Sequence, residues 1–102
     1  MRVKFLQSGG FVGAPRGVEL DSARLPADDA RELQALVQES GILQSGEFRS
    51  PAGRDLRLYE IQLDSGAGII AVTYDDHTLP EQARGLVSFL RRKAKPRDQD
   101  ER

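Results

Sequence analysis

Apolar residues alternate with polar ones near the start of the chain, which indicates β-strands with one buried face. Val3 and Phe5 alternate with charged neighbours, and Val18 and Leu20 repeat the pattern further on. Between these two segments the run Gly9–Pro15 contains three glycines and a proline. We therefore predict an antiparallel hairpin with a long, glycine-rich tip.

The next apolar residues follow a helical period. Leu33, Leu36 and Val37 form one stripe at helical spacing. Pro26 suits the first turn of a helix, where its missing N–H would have no partner, and Gly41 supplies the left-handed residue that ends one. The pattern predicts a helix over 26–40.

The segment 42–55 shows no period and contains several Ser, Gly and Pro residues. Such a composition is typical of a loop. We expect three of its apolar side chains, Ile42, Leu43 and Phe48, to anchor the loop to the core.

A second hairpin follows this loop. Residues 56–63 and 69–74 each alternate between apolar and polar positions, and the turn-forming run Asp64–Gly68 joins them. The pattern predicts two further antiparallel strands.

A second helix follows the second hairpin. Thr78 and Glu81 match the capping-box spacing, and Leu86, Val87 and Leu90 continue as an apolar stripe. No apolar residue follows Ala94, so the last residues should form a frayed tail.

The order of predicted elements is β-β-α-β-β-α, which favours an α+β fold of two layers. We expect a four-stranded antiparallel sheet with two helices on one face and solvent on the other. The prediction assigns residues 1–94 to a single domain and residues 95–102 to a flexible, charged C-terminal tail.

The composition excludes several functions. The chain has 102 residues, no Cys, one His and a net charge of −1. These counts exclude disulfide scaffolds, thiolate zinc sites and two-His metal motifs, and they argue against a protein that coats nucleic acid. Without an apolar leader or a membrane span in the sequence, we expect a cytoplasmic protein that is monomeric when free, has no cofactor and contacts neither membrane nor nucleic acid.

Few side chains suggest catalysis or metal binding. His77 follows Asp75 and Asp76, which could orient it as a general base, but a solvated turn is the favoured interpretation. The two aspartates lack the further oxygen ligands that a cation needs. We therefore predict no catalytic residue and no metal site.

Two other motifs also favour structural roles. The glycines at 9, 10 and 13 follow a strand, but no helix opens behind them to bind phosphate. The basic cluster Arg91–Arg97 lacks interleaved aromatic residues, and positive charge at a helix C-terminus is stabilising in itself.

Phe11 and Val12 are the remaining candidates, because they are apolar residues inside a glycine-rich tip. Phe11 could fold back on the edge of the core. Alternatively, the pair could be an exposed apolar anchor offered to a pocket on another protein. The residues alone leave both possibilities open.

The chain resembles the emfourin family over roughly residues 1–92. The resemblance lies in the order and spacing of short motifs. These motifs are Met1–Phe5, Ser8–Phe11, Val18–Asp21, Leu25–Pro26, Tyr59–Ile61 and Leu79–Glu81.

Membership would imply a bacterial, non-enzymatic protein that inhibits thermolysin-like zinc metallopeptidases of the protealysin type. From the chemistry of the tip we expect reversible inhibition by steric occlusion of the active-site cleft. The alternative mechanism is that the inhibitor bridges the two lobes of the enzyme and prevents their closure. The residues expected to contact the peptidase are Gly9, Gly10, Phe11, Val12 and Gly13. The alternative is a small adaptor that binds a partner through a sheet edge or its basic C-terminal segment, and an enzyme using His77 is a third hypothesis.

Overall fold

The protein is an α+β domain in which one mixed sheet carries two helices, as seen in a computed structural model. The structure describes residues 1–10, 14–51 and 56–96. The strands are β1 (Arg2–Gly9), β2 (Arg16–Asp21), β3 (Gly46–Phe48), β4 (Arg57–Asp64), β5 (Ile69–Asp75) and β6 (Lys95–Pro96). The helices are α1 (Ala27–Ser40) and α2 (Arg84–Lys93), each preceded by a 3₁₀ turn, Ser22–Arg24 and Glu81–Ala83.

The strand order in the sheet is β3-β5-β4-β1-β2-β6. The two predicted hairpins form its antiparallel centre, and β1 joins them by pairing with both β2 and β4. Phe5 lies opposite Val18 on one side and Ile61 on the other. The predicted class and the four long strands are therefore confirmed.

The prediction of only four antiparallel strands is wrong among the described residues. Gly46–Phe48 lies in the predicted loop but pairs in parallel with β5, and Lys95–Pro96 pairs with the start of β2. Strands of two or three residues are too short to show alternation in sequence. They form because the open edges of β5 and β2 offer unpaired backbone N–H and C=O groups.

The core lies between the sheet and both helices. Alternate residues of β1 and β4, such as Val3 and Ile61, point towards this layer and are fully buried, whereas Lys4 and Glu60 on the opposite face are exposed. The largest fully buried apolar side chains are Phe89, Leu33, Ile61, Leu86, Leu90 and Val3. The period-two and helical stripes therefore meet in one core.

The ends of the helices differ partly from the prediction. Helix α1 starts at Ala27 with Pro26 as its N-cap and ends at Ser40, and its C-cap is Gly41, which has a φ of 71°. The predicted capping box is wrong, because the hydroxyl of Thr78 accepts from the N–H of Asp75 and donates to the carbonyl of Phe48. A 3₁₀ turn replaces the expected first turn of α2.

The three predicted anchors of the 42–55 segment behave differently from one another. Ile42 is buried in the core, as predicted, while Leu43 is 81 % exposed. Phe48 is half-exposed, yet its ring stacks on Tyr74 with a centroid distance of 5.4 Å. The helical spacing and strand alternation that marked the other core residues are absent from this segment. The sequence therefore could not show which of its apolar residues are buried and which are exposed.

Candidate functional site

Several of the candidate functional segments identified from the sequence lie at one end of the sheet. At this end β1, β3 and β5 finish while β2 and β4 begin, so the first hairpin loop leaves the sheet here. We call this end the tip end. The predicted contact loop, the Asp75–Thr78 turn and the end of β6 therefore share one region of the molecule.

Gly9 and Gly10 form the described part of the predicted contact loop. Their φ angles are 80° and 81°, a region that side-chain-bearing residues rarely adopt. A Cβ on Gly9 would lie 2.8 Å from the backbone oxygen of Leu56, which cannot move aside easily. Glycine at position 9 is thus required by both conformation and space. Phe11, Val12 and Gly13 lie outside the described residues, so the choice between lid and anchor stays open.

Asp76 fastens the start of β4 to the end of β5 beside this loop. Its Oδ2 accepts hydrogen bonds from the backbone N–H of Arg57 at 2.9 Å and from Nε of Arg57 at 3.4 Å. Its Oδ1 accepts from the phenol of Tyr59 at 2.5 Å. Since Gly9 pairs with Arg57 in the sheet, this cluster supports the base of the loop.

The pKa values of this cluster follow from these contacts. Burial works to raise the pKa of Asp76, but the hydrogen bonds from Tyr59 and Arg57 and the guanidinium charge outweigh it, so the pKa lies below its usual value. Burial raises the pKa of Tyr59, and its hydrogen bond to the Asp76 carboxylate raises it further. The ionised carboxylate and the neutral phenol therefore stabilise each other.

Asp75 is a buried carboxylate that holds the neighbouring turns. Its oxygens accept from the backbone N–H groups of Ser50, His77 and Thr78. Burial tends to raise the pKa of Asp75, but these hydrogen bonds outweigh burial and lower it. The residue thus has a structural role, which its side chain performs in the ionised state.

Among the residues that the structure describes, the hydrogen bond between His77 and Asp75 does not involve the imidazole. The side chain of His77 is exposed, and the contact with Asp75 is made by its backbone N–H. The favoured interpretation of a turn is confirmed for His77, whereas Asp75 is far more buried than a solvated turn implies. Within residues 1–10, 14–51 and 56–96, no group of three or more His, Asp or Glu side chains could hold a metal ion.

Two of the four basic residues in the described part of the C-terminal segment, Arg92 and Lys93, contact α1 and the ring of Phe89. Lys93 bonds Asp29 at 3.0 Å, and Arg92 lies 3.7 Å from Glu32. Both cations also lie over the ring of Phe89, the Arg92 guanidinium at 5.7 Å and the Lys93 ammonium at 5.5 Å from its centroid. These contacts support the structural interpretation for Arg92 and Lys93. We consider Arg91 below.

Sequence reasoning missed the roles of Arg57 and Tyr59 at the tip end. Their partner Asp76 is 17 or more positions away in the chain. No periodic pattern links residues across that separation, and only the pairing of β4 with β5 brings them together.

The chain matches one known protein family over most of its length. The model of the emfourin family matches residues 5–91, which include most of β1, most of α2 and the described elements between them. The chain belongs to the emfourin family. This emfourin matches no curated protein and no solved structure in the corresponding comparisons.

The family match covers the tip end as well as the core of this emfourin. It includes the predicted contact residues 9–13 and the Arg57–Tyr59–Asp76 cluster. In the described part of the chain, neither helix is long and apolar enough to cross a membrane.

Proposed function

We propose that this protein is a reversible inhibitor of a thermolysin-like zinc metallopeptidase of the protealysin type. Its membership of the emfourin family, through a match over residues 5–91, is the observation that carries this proposal. The proposal includes a non-enzymatic role, which is what membership of an inhibitor family implies.

The first hairpin loop is the part of the chain best suited to enter a peptidase cleft. Thermolysin-like enzymes cleave before bulky apolar residues and so have a deep apolar pocket beside the zinc. Phe11 and Val12 have side chains suited to that pocket, and glycines at 9, 10 and 13 keep the backbone narrow. The contact residues proposed are therefore Gly9, Gly10, Phe11, Val12 and Gly13.

The energetics require a loop that is held in place. Burial of one Phe side chain contributes about 1.5–3 kcal/mol, whereas nanomolar inhibition needs about 12 kcal/mol. A preorganised loop base reduces the entropy lost on binding. Gly9 in the sheet and the Asp76 cluster behind it support such a base.

The mechanism proposed is steric occlusion. The chain has no Cys and its single His is at the Asp75–Thr78 turn, so direct zinc ligation would need a carboxylate or a backbone carbonyl. Steric occlusion needs no zinc ligand from the inhibitor. The loop would fill the apolar pocket and exclude substrate from the catalytic zinc of the enzyme.

The decisive experiment titrates the protein into a protealysin-type enzyme and into thermolysin. We expect a stoichiometric, reversible loss of peptide hydrolysis in at least one of them, and unchanged activity of an unrelated serine peptidase as control. Full activity of both metallopeptidases at micromolar inhibitor would contradict the proposal.

A further inference from the structure

A basic recess lies between the sheet and α2 at the tip end. It has a volume of about 540 Å³ and opens to solvent. Its lining residues are Gln7, Arg16, Ser88, Arg91 and Arg92. We call this feature the basic recess.

The fold assembles the basic recess from two elements. Gln7 and Arg16 are direct cross-strand partners at the end of the β1–β2 ladder. The other three lining residues lie within α2 and share one face of it, because their spacing is i, i+3 and i+4: Ser88, Arg91 and Arg92. The recess is therefore specified by the register of the first hairpin and by the packing of α2.

The positive charge of the recess is only partly compensated. Arg92 reaches Glu32 at 3.7 Å, but Arg16 and Arg91 make no ion pair with any residue that the structure describes. Guanidinium groups in one recess repel each other, and a bound anion relieves that repulsion. The planar fork of a guanidinium matches the geometry of a carboxylate.

Gln7 adds a requirement for a hydrogen-bond donor. Its Oε1 is buried and accepts no hydrogen bond from the described part of the chain. An unsatisfied buried acceptor is costly. Rotation of the Gln7 amide towards the recess that it lines would let an N–H group of a ligand reach Oε1, which a bare anion cannot offer. An acidic residue in a polypeptide offers both groups, a side-chain carboxylate and a backbone N–H.

The position of the recess points to the same partner as the loop. Gln7 lies two residues before Gly9, and Arg16 lies three residues after Gly13. A protein that binds the loop therefore lies at the same end of the β1–β2 ladder as the recess.

We propose that the basic recess takes an Asp or Glu side chain of the peptidase that binds the hairpin loop. This inference rests on the proposed function for the identity of the partner. It gives the interface a second contact, polar and ionic, beside the apolar contact expected from Phe11 and Val12. Such a contact selects among peptidases by the charge at one position beside the cleft.

A first experiment tests the recess without any peptidase. The arginine Nε–H signals of the full-length protein are followed by NMR during titration with sodium acetate, with sodium chloride at equal ionic strength as control. We expect saturable shifts of Arg16 and Arg91 in acetate only, and none for Arg84, which pairs with Glu81 at the other end of α2. Equal shifts in both salts would overturn the proposal.

A second experiment tests the role of the recess in inhibition. Arg16→Gln and Arg91→Gln should each raise the inhibition constant at least threefold and reduce its dependence on salt, while the matched control Arg84→Gln leaves both unchanged. Arg91→Lys, which keeps the charge but loses the fork, should fall between wild type and Arg91→Gln. Unchanged inhibition in both glutamine variants would refute the contact. Failure of the wild type to inhibit any metallopeptidase would refute the proposed function instead, and the acetate titration would then decide whether the recess binds a carboxylate.

A third experiment excludes the chain's own acidic residues as the occupant. Asp98, Asp100 and Glu101 follow β6, whose Pro96 pairs with Arg16. A full-length variant with Asp98→Asn, Asp100→Asn and Glu101→Gln should bind acetate as the wild type does. Acetate binding that appears only in this variant would overturn the proposal in favour of the tail.

Discussion

The phenol of Tyr59 donates a hydrogen bond of 2.5 Å to the Asp76 carboxylate and so joins β4 to the turn after β5. Tyr59→Phe should lower the free energy of unfolding by about 1.5–3 kcal/mol, because the buried Tyr59 loses its hydrogen bond to a charged group. Urea unfolding measures this change. The matched control is Tyr74→Phe, since the pKa of Tyr74 is raised by burial alone. An equal loss in both variants would show that the Asp76 contact contributes nothing.

Acid should destabilise the protein through Asp75 and Asp76. Both carboxyls have pKa values below the ordinary value in the folded state, so the unfolded chain binds protons first as the pH falls. Their stabilisation is complete well above the ordinary aspartate pKa of about 3.9 and is lost as the pH drops through the folded-state values. Urea unfolding at a series of pH values from 7 to 3 should show a plateau followed by a decline.

Asp75→Asn isolates the part that one buried carboxylate contributes to this decline. An amide offers a single oxygen to the three backbone N–H groups that Asp75 holds, so stability at pH 7 should fall by about 2–3 kcal/mol. The loss should shrink towards pH 3. Asp64→Asn is the control, because Asp64 accepts one exposed backbone N–H, from Gly66. A loss that is the same at every pH would contradict the ionic role of Asp75.

Gly9→Ala should destabilise the base of the first hairpin. The substitution combines an unfavourable φ of 80° with a close approach to the Leu56 oxygen, and we expect a loss of about 2–3 kcal/mol. Gly66→Ala separates these causes, since Gly66 has a φ of 92° but open space around it. In thermal unfolding, Gly9→Ala should have a lower melting temperature than Gly66→Ala. The opposite ranking would show that the backbone at position 9 relaxes freely.

Phe11→Ala should weaken inhibition of the cognate peptidase by more than tenfold while circular dichroism stays native. The reason is the loss of about 1.5–3 kcal/mol of apolar burial in the enzyme's pocket. Inhibition assays and far-UV spectra of the same preparation test both parts. Unfolding of the variant would instead identify Phe11 as a lid on the core.

Ile42 and Leu43 provide a test of the corrected loop anchors. Ile42→Ala should cost about 2–4 kcal/mol because its side chain is buried, whereas Leu43→Ala should change stability by less than about 0.5 kcal/mol. Chemical denaturation of the two variants measures the contrast. A large loss of stability in Leu43→Ala would contradict the exposed position of the Leu43 side chain.

Sequence predicted those elements whose signal is local. Val3 and Phe5 mark a strand, and Leu33, Leu36 and Val37 mark a helix, because burial against one core imposes the period of the element itself. The family resemblance, which depends on the order of such segments, is confirmed over residues 5–91.

The tertiary structure alone decided the contacts between distant segments. The parallel strand β3, the Asp76 contacts with Arg57 and Tyr59 and the basic recess join residues that no period relates. Hydrogen-bond partners and unpaired charges are not periodic, so they become visible only when the sheet brings its strands into register. Sequence thus determined the elements and the family of this emfourin, and three-dimensional pairing decided what surrounds the loop proposed to inhibit a peptidase.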